Sequence, residues 1–153
     1  MPDVNVLVAA YRVDAAHHET AKAWLETAVD GPEPVGLSDA VATGFVRVVT
    51  HHRVFVQPTP LDQALGQLDA LYAATGVVRV VPGRTHWAIF SRLCRDGDVR
   101  GNLVPDASHA ATAIEAGATW VSFDRDFARF ADLTWRVPGV GGPHGQAVPG
   151  RSR

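Results

Sequence analysis

Apolar side chains recur along this chain with two different periods. Over 17–29, Ala21, Trp24, Leu25 and Ala28 fall at i, i+3, i+4 and i+7, the spacing of one helix face. Gly31-Pro32 stops that helix, and residues 34–37 form a brief extended run. Ser38 then suits an N-cap, with Asp39 in the first turn of a helix carrying Val41, Phe45, Val48 and Val49. A further helix follows Pro60, with Leu61, Ala64, Leu65, Leu68 and Leu71 on one face. Residues 77–81 predict the best buried strand, and 84–95 a helix through Trp87, Phe90, Leu93 and Cys94. The Ala-rich stretch 105–115 predicts a helix closing at Gly117. Residues 119–122 predict a strand, 125–130 a helical turn and 133–137 a last strand. At the front, the β-branched run 4–8 predicts a short first strand.

Strands spaced by helices of this length predict an α/β fold: a central, mostly parallel sheet with helices on both faces. One domain fills residues 1–138, and 139–153 is expected to be a flexible tail, with Val140 and Val148 its only large apolar residues. Composition narrows the class. Hydrophobic residues make up 46% and charged residues 20% of 153, which excludes a disordered chain, and no apolar run approaches a membrane span. No basic-plus-apolar leader opens the sequence, so a cytoplasmic location is expected. A lone cysteine, Cys94, excludes an internal disulfide and a cysteine metal cluster. Net charge is −2, and Lys22 is the only lysine, so the other 13 of the 14 basic residues are arginines.

Aspartates gather where a parallel sheet would bring them together. Asp3 leads the chain with Asn5 close behind, Asp39 opens a helix after a short extended run, and Asp106 follows Pro105. Asp124 and Asp126 follow the strand over 119–122. In parallel sheets, ligands collect at the carboxyl ends of the strands. Capping or dipole roles account for Asp39, Asp106 and Asp126 taken singly. Asp3 has no predicted helix terminus beside it. Carboxylates sharing a cleft repel one another and retain protons unless a cation joins them. Hard divalent ions take such oxygen ligands, and they activate water and stabilise a transferring phosphoryl group.

The run Pro2-Asp3-Val4-Asn5-Val6-Leu7-Val8 resembles the opening of PIN-domain ribonucleases. Asn102-Leu103-Val104-Pro105-Asp106-Ala107 and Ser122-Phe123-Asp124-Arg125-Asp126-Phe127-Ala128-Arg129-Phe130 resemble the VapC toxins of toxin–antitoxin pairs, nearest their mycobacterial-type branch. Gly44-Phe45-Val46-Arg47-Val48-Val49-Thr50-His51 fits the same pattern, and the resemblance runs from residue 2 to about residue 138. It implies a PIN-like three-layer α/β/α fold, Mg²⁺-dependent endoribonuclease activity with Mn²⁺ as a substitute, and neutralisation by a VapB-type antitoxin. Asp3 and Asp106 match the family's principal metal-binding acids, Asp124 its fourth acid and Asp126 an accessory one. Ser122 falls where the family carries Ser or Thr, and Asn5 matches the polar partner of the first Asp. The family's second acid is usually Glu. Asp39, one methylene shorter, is the candidate here, while an alternative alignment puts that position at Ala42. His109 stands where relatives usually carry an apolar side chain. The implied catalytic set is Asp3, Asp39, Asp106 and Asp124, with Asp3, Asp106, Asp124 and Asp126 on the metal.

These readings together predict metal-assisted hydrolysis of an RNA phosphodiester, leaving 5′-phosphate and 3′-hydroxyl ends. Arg47, Arg53 and Arg125 are candidate phosphate contacts, with Arg92, Arg95 and Arg129 behind them. Arg125, between two aspartates, is equally a structural ion pair. A homodimer is expected, and the tryptophans suit either core or dimer surface. The alternatives are an inactive PIN scaffold that binds RNA or antitoxin without cutting, and an aspartate-based receiver domain. The receiver needs a lysine near its acids, and Lys22 lies inside the first helical pattern.

Overall fold

The apolar run over 4–8 is helical, contrary to the expectation of a strand. In a computed structural model describing residues 1–140, α1 spans Val4–Tyr11 and Asp3 is its N-cap. The Asp3 Oδ1 accepts from the Val4 N–H at 2.6 Å. Asp3 therefore does have a helix terminus beside it. Val6, Leu7, Val8, Ala9 and Ala10 are all buried. A helix apolar all round carries no 3.6-residue contrast, so its valines read as a strand. The first strand shrinks to the residues in front of the helix. Val121 N–H donates to the Met1 carbonyl and Asp3 N–H to the Val121 carbonyl, both at 2.8 Å, and Pro2 forms an isolated parallel bridge with Val121.

The other elements lie where the periodicity puts them. α2 is His18–Val29, β1 is Val35–Ser38, and α3 is Asp39–Val49, capped by Ser38, whose Oγ accepts from Val41 N–H at 3.3 Å. α4 is Leu61–Ala73, β2 is Val77–Val80, α5 is His86–Asp96 and α6 is Leu103–Glu115. β3 is Trp120–Val121, a 3-10 turn covers Arg125–Arg129, and β4 is Trp135–Arg136. α6 begins two residues before Pro105, which sits in the first turn, where its missing N–H leaves no helical bond unmade. Gly117, at φ 61°, takes the left-handed turn just past that helix. From residue 141 onward the expected tail over 139–153 lies outside the described residues.

Among the described residues all strand pairing is parallel. β1 pairs with β2 from Val35 opposite Val77 to Ser38 opposite Val80, and β3 pairs with β4 from Trp120 opposite Trp135. The N-terminal segment joins the two ladders. It pairs with β3, while the Met1 side chain lies against Gly36 of β1, where a Cβ would meet Met1 Cγ at 2.9 Å. The strand over 77–81 is not the buried one expected. Among the described residues β2 pairs with β1 alone, and Val78 and Val81 face solvent. Short valine runs do not distinguish an edge from a centre. Leu7, Leu37, Phe45, Trp120 and Phe127 form the middle of the core, whereas Trp87 is 72% exposed and Lys22 faces solvent. No helix among the described residues is long and apolar enough to cross a membrane.

Candidate active site

Asp3 ends the N-terminal extended segment, and Ser122 follows β3 beside it, so both sit at carboxyl ends of neighbouring parallel strands. Asp3 is buried, and its carboxylate is held on every side. Oδ1 takes the Val4 N–H, while Oδ2 accepts from Ser122 Oγ at 2.6 Å and from Asn5 Nδ2 at 2.8 Å. Ser122 in turn accepts from Asn5 Nδ2 and from Asp124 N–H, both at 2.9 Å. Asn5 Oδ1 accepts from Phe123 N–H at 3.2 Å. Asn5 and Ser122 thus lock the start of α1 to the segment leaving β3.

The remaining acids approach this network from α6 and the 3-10 turn. Asp106 lies in the first turn of α6, and Asp124 caps the 3-10 turn by accepting from Asp126 N–H at 2.8 Å. Burial raises the Asp3 pKa to about 6 against the pull of the Ser122 and Val4 hydrogen bonds, and the charges of Asp106 and Asp124 add to the rise. Asp106 is also raised, by burial first and then by Asp124 and Asp126, with Arg129 opposing. Carboxyl groups from three separate segments of the chain therefore feel one another's charge.

Asp39 does not join them, which corrects the expectation that it shares the cleft. Its carboxylate receives both Arg79 Nε, at 2.9 Å, and Arg79 Nη2, and Tyr72 Oη donates to it at 3.1 Å. The Arg79 guanidinium holds its pKa low. Ala42, the other candidate position, is buried in the core and carries no donor atom. α3 instead meets α1 through Gly44, where a Cβ would stand 2.7 Å from Val4 Cγ2.

His109 turns into the protein, its ring stacked on Trp120 with centroids 5.3 Å apart, and burial lowers its pKa. Arg47, Arg53 and Arg125 are exposed. Arg129 rather than Arg125 lies against the acids, with Nε donating to the Asp126 carbonyl at 3.2 Å. Arg92 is engaged by Asp132 at 2.7 Å. Sequence reasoning missed the Arg79–Tyr72 clamp on Asp39, and it missed the His17 ring stacked on Phe123 next to Asp124. A histidine in place of a capping Ser or Asp at the start of α2 was the one available signal.

An all-oxygen donor set of mutually repelling carboxylates fits a hard divalent ion, whose charge would relieve the repulsion that raises Asp3 and Asp106. Among the described residues, no three His, Cys, Asp or Glu side chains stand close enough together to hold a metal ion between them. A hard ion keeps several waters, so a small number of carboxylate donors suits it.

The family described as PIN domain matches residues 1–133. VapC ribonuclease Mb2897 of Mycobacterium bovis and ribonuclease VapC43 of Mycobacterium tuberculosis are each 48% identical over 142 residues, covering 93% of this chain and 97% of theirs. Ribonuclease VapC25 of Mycobacterium tuberculosis is 37% identical over 131 residues, covering 86% of this chain and 92% of its own. Among solved structures, VapBC2 from Rickettsia felis, bound to a promoter DNA fragment, superposes with a TM-score of 0.69 at 18% identity, covering 90% of this chain and 97% of the other. VapBC-1 from nontypeable Haemophilus influenzae does so with a TM-score of 0.63 at 16% identity, covering 90% and 96%.

Proposed function

This chain belongs to the PIN domain family, and from that premise we propose that it is a VapC-type toxin, a metal-dependent endoribonuclease held in check by a VapB-type antitoxin. The observation that carries the reading is Asp3, buried where the N-terminal segment leaves its parallel pairing with β3, with its pKa raised to about 6 by burial and, in smaller part, by the charges of Asp106 and Asp124. Relatives named as ribonucleases at 48% identity supply the substrate class. Solved VapBC complexes of the same fold support the antitoxin as partner.

In this reading Asp3, Asp106 and Asp124 would hold Mg²⁺ or Mn²⁺, with Asp126 as a further oxygen donor. The bound ion supplies charge stabilisation for the transferring phosphoryl group and acidifies water. The protein supplies the positioning. Ser122 and Asn5 fix the Asp3 carboxylate so that it needs no reorganisation when substrate arrives. Asp106, less buried, would offer its carboxylate to the ion or its water from the first turn of α6. Arg129 tempers the acids, and exposed Arg47, Arg53 and Arg125 meet RNA phosphates. A cytoplasmic homodimer completes the proposal.

The test incubates antitoxin-free protein with total RNA in Mg²⁺ or EDTA, beside Asp3→Asn and Asp106→Asn. Discrete internal cuts with 5′-phosphate ends are expected in Mg²⁺, lost in EDTA and in both variants. Cutting that survives EDTA or both substitutions contradicts the mechanism. Binding without cutting at any metal concentration favours the inactive scaffold.

A further inference from the structure

His17 holds a backbone conformation that its own helix does not require. It lies in the left-handed region, φ 66° and ψ 18°, which residues bearing a Cβ enter only occasionally. It is the N-cap of α2, yet its side chain makes no capping hydrogen bond. Glycine suits that dihedral better, and Ser, Asp or Asn suits that cap better. What the imidazole does is stack on Phe123, with centroids 4.7 Å apart and planes 19° apart. The neighbouring His18 is spent internally, with Nδ1 at 2.8 Å from the Ala9 carbonyl.

Phe123 sits between Ser122 and Asp124, and its N–H is held by Asn5 Oδ1. The stack is therefore fixed to the frame that fixes Asp3 and Asp124. Phe123 is half-buried and His17 exposed, so His17 is the solvent-facing ring of the pair. A planar ring open to solvent beside acids that act on a phosphodiester is a platform for a base. Single-stranded RNA is held by stacking unpaired bases on aromatic side chains, histidine among them, and such stacking accepts any base.

We propose that His17 is a positioning residue for RNA: backed by Phe123, its ring stacks on the nucleobase beside the phosphate presented to Asp3, Asp106 and Asp124. The proposal rests on the endoribonuclease reading above. Stacking of this kind is equal in ground and transition states, so its loss raises KM and leaves kcat unchanged.

The experiment measures Mg²⁺-dependent cleavage of short random-sequence single-stranded RNA by the full chain, His17→Gly, His17→Tyr and Asp106→Asn. His17→Gly is expected to raise KM about tenfold with kcat within about twofold, the range of one base–aromatic stack. Its melting temperature is not lowered, because glycine fits the left-handed backbone. His17→Tyr, which restores a ring, brings KM back to within about threefold. A wild-type KM in His17→Gly overturns the proposal, and so does a His17→Tyr as poor as His17→Gly. Unchanged RNA kinetics with a weakened antitoxin complex assigns the ring to a protein contact and overturns it too. If the wild type cuts no more than Asp106→Asn, the endoribonuclease reading itself falls, a failure distinct from an active wild type matched by His17→Gly.

Discussion

Ser122 uses every hydrogen-bonding capacity of its hydroxyl: it donates to Asp3 and accepts from Asn5 and from the Asp124 backbone. Removing it frees the Asp3 carboxylate to turn, and Ser122→Ala is expected to lower cleavage about 10–100-fold, the usual effect of losing a ligand's supporting partner. Single-turnover rates across a Mg²⁺ series check this, since the loss should shrink at high metal. Asp3 itself trades stability for its task. Its pKa in the folded protein, about 6, lies above an ordinary 3.8, so the protonated form is the one folding favours. The associated stability is complete below pH 3.8 and is lost as pH rises through about 6. Asp3→Asn keeps a competent helix cap and removes the charge. In EDTA it should be more stable than wild type by about 1–2 kcal/mol at pH 8, with little difference at pH 4. Denaturant unfolding at the two pH values checks it, and equal stabilities at pH 8 would contradict the buried, repelled carboxylate. At this scale the sequence showed which residue types were present. It did not show that Asp3 both caps α1 and faces the other acids, because its backbone changes from strand to helix at that residue.

Among elements, α1 was the least legible and α3 the most instructive. Val6 to Ala10 of α1 are buried in succession, and without a regular polar face no period separates helix from strand. α2, α3 and α4 each keep a solvent face and were readable to within about a residue or two. On α3, spacing correctly placed the Ser38 cap and the buried Val41, Phe45 and Val49. It could not show that the Asp39 side chain swings outward to Arg79, a residue 40 positions away on an edge strand. Asp39→Asn is therefore expected to leave RNA cleavage within about twofold of wild type, as for an ordinary surface change. A loss comparable to that of Asp106→Asn would put Asp39 back in the cleft. The close approach of α3 to α1 at Gly44 is the sharper constraint. An alanine there gains helix propensity but drives its Cβ into Val4, whose branched side chain has little room to turn. Gly44→Ala should lower stability by about 1 kcal/mol net, since overpacking outweighs propensity. Because Val4 is next to Asp3, cleavage should fall with it, as parallel unfolding and rate measurements would show.

For the whole molecule, a net charge of −2 describes an average of two separated fields. Carboxylates from the N-terminal segment, α6 and the 3-10 turn feel one another's charge, and several arginines stand exposed. The alternation of helices and strands made a parallel α/β fold legible, and all observed pairing is parallel. The resemblance made the order of the acids legible. Neither could supply the pairing of residues 1–3 with β3, which joins segments almost 120 residues apart and brings Asp3 beside Ser122. Acids so distant in sequence are proposed to hold one hard cation together. Calorimetric titration of Mn²⁺ into wild type, Asp3→Asn and Asp106→Asn tests it most directly. Wild type should bind Mn²⁺, and each substitution alone should weaken that binding about tenfold or more. Undiminished binding in either variant, or none in wild type, would contradict it.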